Sequence, residues 1–476
     1  MDLFGWLSKL SDALHPLSPT STASTSSSAP LVSNNTAPII LVHGFAGQAV
    51  NPDGTKYWGR YHGDIAEKLR QQGHQVHTVS IGPFASNWDR ACELYAQIKG
   101  GRVDYGEKHS AHHGHKRFGR EYPGFFPQWG TVVNGQVQKV HLIGHSMGGP
   151  TSRMMAQLLA HGTKGAPVEE NPQSHPLFSG GNDWVLSITT VVSPNQGSTL
   201  ADGFSLVADP LEDALATWFS FTGVTKSKQL SVDAQLDQWD IYPRKDGETI
   251  REYIHRIMQS RMFAPGYKDI VAWSLSTAGS KEENKWVQTL PNVFYYSIST
   301  DCTEYKTTAD GKPRYDTTQP DVGCISIELR PCAAFIASDF TSVKMGFPGE
   351  WQCNDGAVNT PSMLSDGHGP IIQFDGRSRA GHWMNLPHLT HIDHLTIIGR
   401  QREIDPSELY LAHAAILADL PPKAPLTEVV APGQLVDRLQ AAIEQLNDRE
   451  VVDFATVGKK LSPAGKAGSI EISEAW

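Results

Sequence analysis

Residues 144–149, Gly-His-Ser-Met-Gly-Gly, contain a serine whose surroundings suit nucleophilic chemistry. An apolar, strand-like run at 140–143 precedes them, and a helix-like run at 151–159 follows. A strand, a tight glycine turn and a helix form a nucleophile elbow, in which the glycines permit the crowding that projects the hydroxyl above a sheet. A serine between glycines can be a plain turn, but such a turn seldom needs this whole context. We therefore predict that Ser146 is a nucleophile.

A serine hydroxyl needs a histidine to take its proton and a carboxylate to hold that histidine in the right tautomer. In elbow enzymes these partners follow the serine in the order aspartate, histidine. Among 20 histidines, His394 in "HIDHLTIIG" lies late in the chain before a strand-like run. Asp393 is a poor partner because adjacent side chains diverge. Asp355 in "CNDGAVN" lies upstream, although an Asn-Asp-Gly turn carboxylate could equally serve the backbone.

Ester or amide cleavage also requires donors for the oxyanion that develops in the transition state. The backbone N–H of Met147, directly after the candidate nucleophile, is one predicted donor. The other is the N–H of Phe45 in "HGFAG", in the loop after the first predicted strand.

A second group of residues suited to chemistry is the histidine-rich segment "DYGEKHSAHHGHKRFG". A solvated loop is the simpler interpretation of His109, His112, His113 and His115. The alternative is a metal site, because two imidazoles and two carboxylates from elsewhere can enclose a tetrahedral zinc ion.

The elements that would position these residues alternate between strand and helix. The apolar run at 38–42 suits a strand covered on both faces, and a helix-like stretch at 63–72 and a strand at 75–79 follow. Together with the strand at 140–143, they predict an α/β fold with a mainly parallel sheet.

The 476 residues carry a formal net charge of −10, and no Lys/Arg run is dense enough to indicate a nucleic-acid partner. The sequence has no stretch of about 18 apolar residues, which a transmembrane helix would require, so we expect a soluble protein. We divide the chain into an amphipathic N-terminal helix at 1–17, a Ser/Thr/Pro linker at 18–36, a main domain at 37–420 and a C-terminal extension at 421–476. The N-terminal helix either packs on protein or docks at a membrane interface.

Residues 202–224 carry an apolar stripe at helical spacing. Such a stripe is usually core, but a movable flap over an apolar site would look the same. The residues of this stripe are Leu211, Leu215, Trp218 and Phe219.

Seven segments, taken in order, resemble one family over residues 37–417: the bacterial lipases grouped with the thermoalkalophilic bacillary and the staphylococcal enzymes. They are "PIILVHGFAG", "SNWDRACELYAQIKGGRVDYG", "HSAHHGHKRFGREYPG", "GHSMGG", "LDQW", "NDGAVNT" and "DHLTIIG". The resemblance implies an α/β-hydrolase fold with a helical lid around 202–224 and an inserted zinc-binding subdomain around 86–130 and 225–245. It also implies that Asp355 orients His394 and that Phe45 and Met147 form the oxyanion hole.

The resemblance further implies a zinc ion held by Asp89, His109, His115 and Asp237. A shell closed by four protein groups indicates a structural zinc rather than one that activates water.

Calcium is not expected, although the family has a calcium site. Where the family has a glutamate and an Asp-Pro pair after the histidine base, this chain has Thr396, Gln401 and Arg402. A calcium ion prefers several oxygens, and an arginine in its shell opposes it. The Asp405-Pro406 pair could restore one ligand only if the loop is rebuilt.

The function predicted from these observations is triacylglycerol lipase activity through a serine acyl-enzyme, acting on lipid or ester substrate at an interface. Uncovering the stripe at 202–224 would create an apolar patch suited to such an interface. The alternatives are a carboxylesterase or polyester hydrolase, and a non-catalytic protein that binds lipid surfaces. Family members are mostly secreted, but the start of this chain lacks the basic region and continuous apolar core of a signal peptide.

Overall fold

A seven-stranded parallel sheet forms the centre of the fold. The computed structural model describes residues 35–51, 54–206, 233–264, 266–307, 309, 313–321, 323–421 and 432–447. All of its neighbouring strands pair in parallel. The predicted α/β class is confirmed.

The described strands are β1 Ile39–Val42, β2 Val76–Thr78, β3 Gly101–Asp104, β4 Phe118–Tyr122, β5 Val132–Val133, β6 Gln136–Val137, β7 Val140–His145, β8 Val185–Val191, β9 Phe294–Ile298, β10 Thr300–Asp301, β11 Thr303–Thr307, β12 Pro313–Pro320, β13 Ile371–Gln373, β14 Trp383–Asn385 and β15 Leu389–Thr390. The order in the central sheet is β13-β14-β9-β8-β7-β1-β2. The other strands form two-stranded pairs outside it.

The described helices are α1 Ile65–Gln71, α2 Asn87–Lys99, α3 Glu107–His113, α4 Gly148–His161, α5 Thr199–Leu206, α6 Ile250–Met258, α7 Val271–Leu275, α8 Thr277–Glu283, α9 Arg330–Ile336, α10 Thr360–Met363, α11 Ser407–Ala418 and α12 Pro432–Asn447. None of these helices combines the length and the apolar character that crossing a bilayer requires.

Helices cover both faces of the sheet, which explains why β1 reads as an unbroken apolar run. On one face, Ile40, Leu142 and Ile188 belong to the same buried cluster as Ala91 of α2 and Met155 of α4. Successive residues of a strand point to opposite faces, so the residue after Ile188 faces the other layer.

The opposite face carries buried polar pairs that connect the sheet to α11. Thr189 Oγ1 lies 2.7 Å from Nε2 of His413 in α11. His141 bonds through Nδ1 to Ser187 Oγ at 2.7 Å and through Nε2 to Asn35 Oδ1 at 3.1 Å. The Asn35 amide also donates to the carbonyl of Ala418 at 3.0 Å, which joins the segment before β1 to the end of α11.

Part of the C-terminal extension belongs to the same packed body. Leu439 and Ile443 of α12 are each 2% exposed, and α12 packs against α11. Asn447 Oδ1 accepts from the N–H of Thr390 at 3.0 Å, and its Nδ2 donates to the carbonyl of His388 at 3.2 Å. The extension therefore contributes a helix that contacts the segment that leads to His394.

Three of the sequence predictions lie outside the described residues. They are the amphipathic helix at 1–17, most of the linker at 18–36, and the apolar stripe at 202–224 with Leu211, Leu215, Trp218 and Phe219. Of the range 202–224, the structure describes residues 202–206, which belong to α5.

We predict that His413 makes the protein less stable in acid. Burial lowers the pKa of His413 from 6.5 to about 3. Between these values the unfolded chain binds a proton that the folded chain does not, so the free energy of unfolding falls as pH falls from 6.5 toward 3. His413→Asn should make this decrease shallower by up to about 1.4 kcal/mol per pH unit, measured by urea denaturation at several pH values.

The matched control is His161→Asn, since the side chain of His161 is exposed at the end of α4. This variant should keep the slope of the unmodified protein. A His413→Asn slope equal to that of the control would contradict the assignment.

Candidate active site

Ser146 lies at the sharp bend between β7 and α4. Its φ is 54°, in the left-handed region that residues other than glycine seldom adopt. A Cβ on Gly144 would lie 2.3 Å from the carbonyl carbon of Gly148, and a Cβ on Gly148 would lie 2.2 Å from the carbonyl oxygen of Val42. Only glycine fits at either position, so the strand–turn–helix geometry predicted around Ser146 is present.

His394 and Asp355 form a buried pair. His394 Nδ1 lies 2.6 Å from Asp355 Oδ2, and the N–H of His394 donates to the Asp355 carbonyl at 2.9 Å. The other oxygen, Oδ1, accepts from the N–H groups of Ala357 at 3.0 Å and Val358 at 2.8 Å. Asp355 thus serves the turn and the imidazole together, so the two interpretations of this residue are compatible. A carboxylate at Nδ1 leaves Nε2 as the proton acceptor.

The loop that carries His394 lies against the elbow. The ring of His145, the residue before Ser146, has its centroid 4.7 Å from that of His394. His145 Nε2 also lies 2.9 Å from the His394 carbonyl oxygen. Among the described residues no hydrogen bond joins the Ser146 hydroxyl directly to His394, whose described hydrogen-bond partners are Asp355 and His145. Such contacts are often long in ligand-free enzymes.

The predicted oxyanion donors lie on the two segments that meet at the elbow. Met147 is fully buried at the start of α4. Phe45 follows β1, and its ring packs edge-on against Phe84 with centroids 5.7 Å apart. A Cβ on Gly44 would lie 2.6 Å from the Cβ of Ser146. The loop before Phe45 therefore approaches the candidate nucleophile as closely as a backbone without side chain allows.

Four buried side chains form a candidate metal centre beside this core. They are Asp89 near the start of α2, His109 in α3, His115 after it, and Asp269, with ligand atoms all within 4.8 Å of one another. His109 Nε2 lies 3.3 Å from Asp89 Oδ1 and 3.4 Å from Asp269 Oδ1. His115 Nε2 lies 3.1 Å from Asp269 Oδ2.

The donor set fits a zinc ion. Each of the four residues has one buried atom without a hydrogen-bond partner: Asp89 Oδ1, His109 Nε2, His115 Nε2 and Asp269 Oδ2. Ligands of a tetrahedral zinc at its usual bond lengths are roughly 3.3–3.6 Å apart, close to the observed separations. Burial lowers the pKa of His109, but the carboxylates of Asp269 and Asp89 outweigh it and raise the pKa to about 9. The site thus strongly favours positive charge.

Neighbouring groups hold the ligands in place, as is usual around protein metal sites. Trp88 stacks on His109 with centroids 4.6 Å apart. His115 Nδ1 lies 2.9 Å from the carbonyl oxygen of Lys116, which leaves Nε2 to face the cluster. Gln238 Nε2 donates to Asp89 Oδ2 at 3.2 Å.

The assignment of Asp237 to this centre is corrected to Asp269. Asp237 forms an ion pair with Arg120, whose guanidinium also binds Asp233 at 2.7 Å, and the side chain of Asp237 is 25% exposed. Its neighbour Gln238, not Asp237, contacts the cluster. Asp269 is 2% exposed, and a carboxylate directly before the apolar run of α7 was the only sequence signal for it. His112 and His113 are not in the cluster.

The positions related to the family's calcium site are occupied by protein hydrogen bonds. Gln401 Nε2 donates to the Cys324 carbonyl at 3.3 Å, Ser326 Oγ at 2.8 Å and Asp393 Oδ2 at 3.1 Å. Thr396 donates to Asp393 Oδ1 through its N–H and hydroxyl, both at 2.7 Å.

The remaining candidate ligands are turned to other partners. Asp405 pairs with Lys68 at 3.0 Å, and the Arg402 guanidinium lies 5.1 Å from the centroid of Tyr61. These residues do not fit a calcium ion, because an amide N–H₂ group lies among the oxygens that would have to bind it.

Comparisons with known proteins identify the family of this chain. The family described as "Lipase-like, C-terminal domain" matches residues 35–417. Lipase 2 of Staphylococcus aureus strain N315 is 34% identical over 380 residues, 77% of this chain and 50% of the relative. Lipase of Staphylococcus epidermidis is 33% identical with the same coverage. The chain thus spans about half the length of the curated relatives it matches.

Solved structures match over a similar range. Lipase 1 from Pelosinus fermentans superposes with a TM-score of 0.70 at 38% identity, covering 81% of this chain and 99% of that one. The Staphylococcus hyicus lipase superposes with a TM-score of 0.64 at 29% identity, covering 81% and 95% of the two chains.

We predict that Asp269→Ala abolishes stoichiometric zinc binding while Asp237→Ala does not, because Asp269 directs an unpaired oxygen at the imidazoles whereas Asp237 pairs with Arg120. Metal analysis of the purified variants, after equal exposure to zinc, measures this directly. Free zinc at 100 times the Kd should stabilise the unmodified protein and Asp237→Ala by about 2.7 kcal/mol, and Asp269→Ala by far less. Zinc loss confined to Asp237→Ala would restore the original assignment.

We predict that calcium does not stabilise the unmodified protein, whereas Gln401→Glu acquires calcium-dependent stability. The substitution would replace the amide with a second carboxylate beside Asp393 and the Cys324 carbonyl, which is a ligand set that calcium prefers. Thermal unfolding with calcium or with equal magnesium checks both proteins. A calcium-specific rise in the Tm of the unmodified protein would contradict this arrangement.

Proposed function

Because this chain belongs to the family described as "Lipase-like, C-terminal domain", we propose that it is a triacylglycerol lipase that cleaves carboxylic esters through a serine acyl-enzyme. The observation that carries the proposal is the 2.6 Å contact between His394 Nδ1 and Asp355 Oδ2, on a loop that lies against the Ser146 elbow. A buried carboxylate–imidazole pair beside a strained serine is the arrangement that acyl transfer requires.

In the first half of the reaction, the Ser146 hydroxyl attacks the ester carbonyl carbon while His394 Nε2 takes its proton. Asp355 holds the imidazole in the tautomer that can accept this proton, and stabilises the imidazolium that forms. The N–H groups of Phe45 and Met147 are the proposed donors to the oxyanion, each worth about 100-fold or more in rate. Collapse of the tetrahedral intermediate releases the alcohol, which receives the proton from His394.

In the second half, His394 removes a proton from a water molecule that attacks the acyl-enzyme. The new tetrahedral intermediate collapses, Ser146 regains its proton, and the fatty acid leaves. Both halves use the same donors and the same imidazole, so one site serves acylation and deacylation.

The proposed zinc has a structural function in this scheme. Asp89, His109, His115 and Asp269 together would complete a four-coordinate shell, which leaves no open position for a substrate or a water. The ion would fix the start of α2 to the segment before α7. The chemistry it supplies is charge compensation for two buried carboxylates.

We predict that Ser146→Ala lowers kcat for tributyrin and for soluble p-nitrophenyl esters by about 10⁴-fold or more, since it removes the nucleophile and leaves only binding and oxyanion stabilisation. An organophosphonate ester should label the unmodified protein once per chain, at Ser146, as located by peptide mass spectrometry. Ser152→Ala is the matched control, because Ser152 is buried two turns away in α4 and its hydroxyl bonds to the Gly148 carbonyl at 2.7 Å.

Rates on emulsified long-chain triacylglycerols and on short soluble esters separate a lipase from a carboxylesterase. Turnover confined to the short soluble esters would replace the lipase proposal with the narrower activity. Absence of both turnover and phosphonate labelling in the unmodified protein would overturn the enzymatic function altogether.

A further inference from the structure

We propose that Tyr57 and His145 are positioning residues for ester hydrolysis, whose hydrogen-bond chain holds the oxyanion loop, the nucleophile elbow and the base loop in one arrangement. The oxyanion loop is residues 43–47, the nucleophile elbow is residues 144–149, and the base loop is residues 391–395. The inference rests on the proposed function, since it assigns a role in that reaction.

The chain of contacts is short and continuous. The N–H of Gly44 donates to Tyr57 Oη at 3.0 Å. Tyr57 Oη lies 2.6 Å from His145 Nδ1, and His145 Nε2 lies 2.9 Å from the His394 carbonyl oxygen. Tyr57 and His145 therefore connect backbone groups of two loops through the residue that precedes Ser146.

With a neutral His145 ring, only one direction of proton donation is consistent with all three contacts. A carbonyl oxygen can only accept, so His145 Nε2 carries the hydrogen that points to His394. His145 Nδ1 is then the acceptor of the Tyr57 hydroxyl, and the Tyr57 oxygen is left to accept from Gly44. Every donor in the chain has one acceptor.

The surroundings keep this arrangement fixed. Tyr57 is 3% exposed and His145 is 1% exposed. Burial, together with the nearby His394 imidazole, lowers the pKa of His145 well below 6.5, so this ring stays neutral at neutral pH. Trp58 packs edge-on against both rings, and the Arg400 guanidinium lies 5.1 Å from the centroid of Tyr57. In such a site, an unmade hydrogen bond is costly because water does not replace it.

Each residue that the hydrogen-bond chain connects is, or directly precedes, a residue of the proposed reaction. Gly44 precedes Phe45, His145 precedes Ser146, and the third contact is to His394 itself. The donor to the oxyanion, the nucleophile and the base come from three separate loops, so their relative positions depend on contacts between the loops. A misplacement of about 1 Å can cost about 100-fold in rate.

The first test is Tyr57→Phe, which keeps the ring and removes the hydroxyl that bridges Gly44 and His145. We expect kcat on a soluble p-nitrophenyl ester to fall about 10–100-fold while KM changes little, since substrate contacts are untouched. Rates are expressed per site titrated with the organophosphonate, so that a loss of folded protein does not count as a loss of kcat.

The matched control is Tyr410→Phe. Tyr410 is 1% exposed, packs against the same Trp58, and donates to the Ile397 carbonyl at 3.0 Å, outside the Gly44–His394 chain. Its loss should lower the Tm as much as Tyr57→Phe does, with kcat per titrated site retained. Equal kcat per titrated site in the two variants would overturn the positioning role.

The second test uses His145. Glutamine can accept through its carbonyl and donate through its amide, so His145→Gln can remake both contacts, whereas His145→Leu can make neither. We expect His145→Gln to recover a large part of the kcat that His145→Leu loses. Identical kcat per titrated site for both variants would count against the proposal. Failure of the proposed function is distinguishable, because the unmodified protein would then take up no phosphonate.

Discussion

The site depends first on the crowding at the carboxyl end of β7. Three backbone segments meet there at distances that a methyl group would prevent: Gly144 against Gly148, Gly148 against Val42, and Gly44 against Ser146. This close approach holds Ser146 at a positive φ and brings the loop after β1 beside it. Strain of this kind persists only where the surrounding structure determines it, which here is a parallel sheet buried on both faces.

Most of the geometry of the candidate active site was predictable because its signals are local. The glycine spacing around Ser146 predicts the sharp bend between a strand and a helix, and the apolar runs at β1 and β7 predict central strands. Asp355 and His394 could be selected because an aspartate and then a histidine follow the serine in the expected order. Their contact could not be derived, since it joins loops 39 residues apart. Only the fold shows that Asp355 makes both contacts, closing its own turn and binding His394.

Two parts of the site could not be read from the sequence for a physical reason. A metal ligand is defined by where its side chain points, and residues 237 and 269 both follow plausible patterns, yet Arg120 neutralises Asp237 while Asp269 is buried against two imidazoles. Likewise, Tyr57 has no motif that marks it. Its hydroxyl matters because a loop folds back to place it between Gly44 and His145.

The packing of α12 against α11 shows that the folded domain includes residues beyond the family match. The family match ends at residue 417, inside α11. The apolar side of α12 nevertheless covers that helix, and Asn447 bonds to the backbone at 388 and 390. A fragment cut at the limit of similarity would expose buried leucine and isoleucine contacts to water, and would loosen the strand that leads into His394. The boundary for producing or transplanting this domain is therefore set by helix packing, about one helix beyond residue 417, where the family match ends.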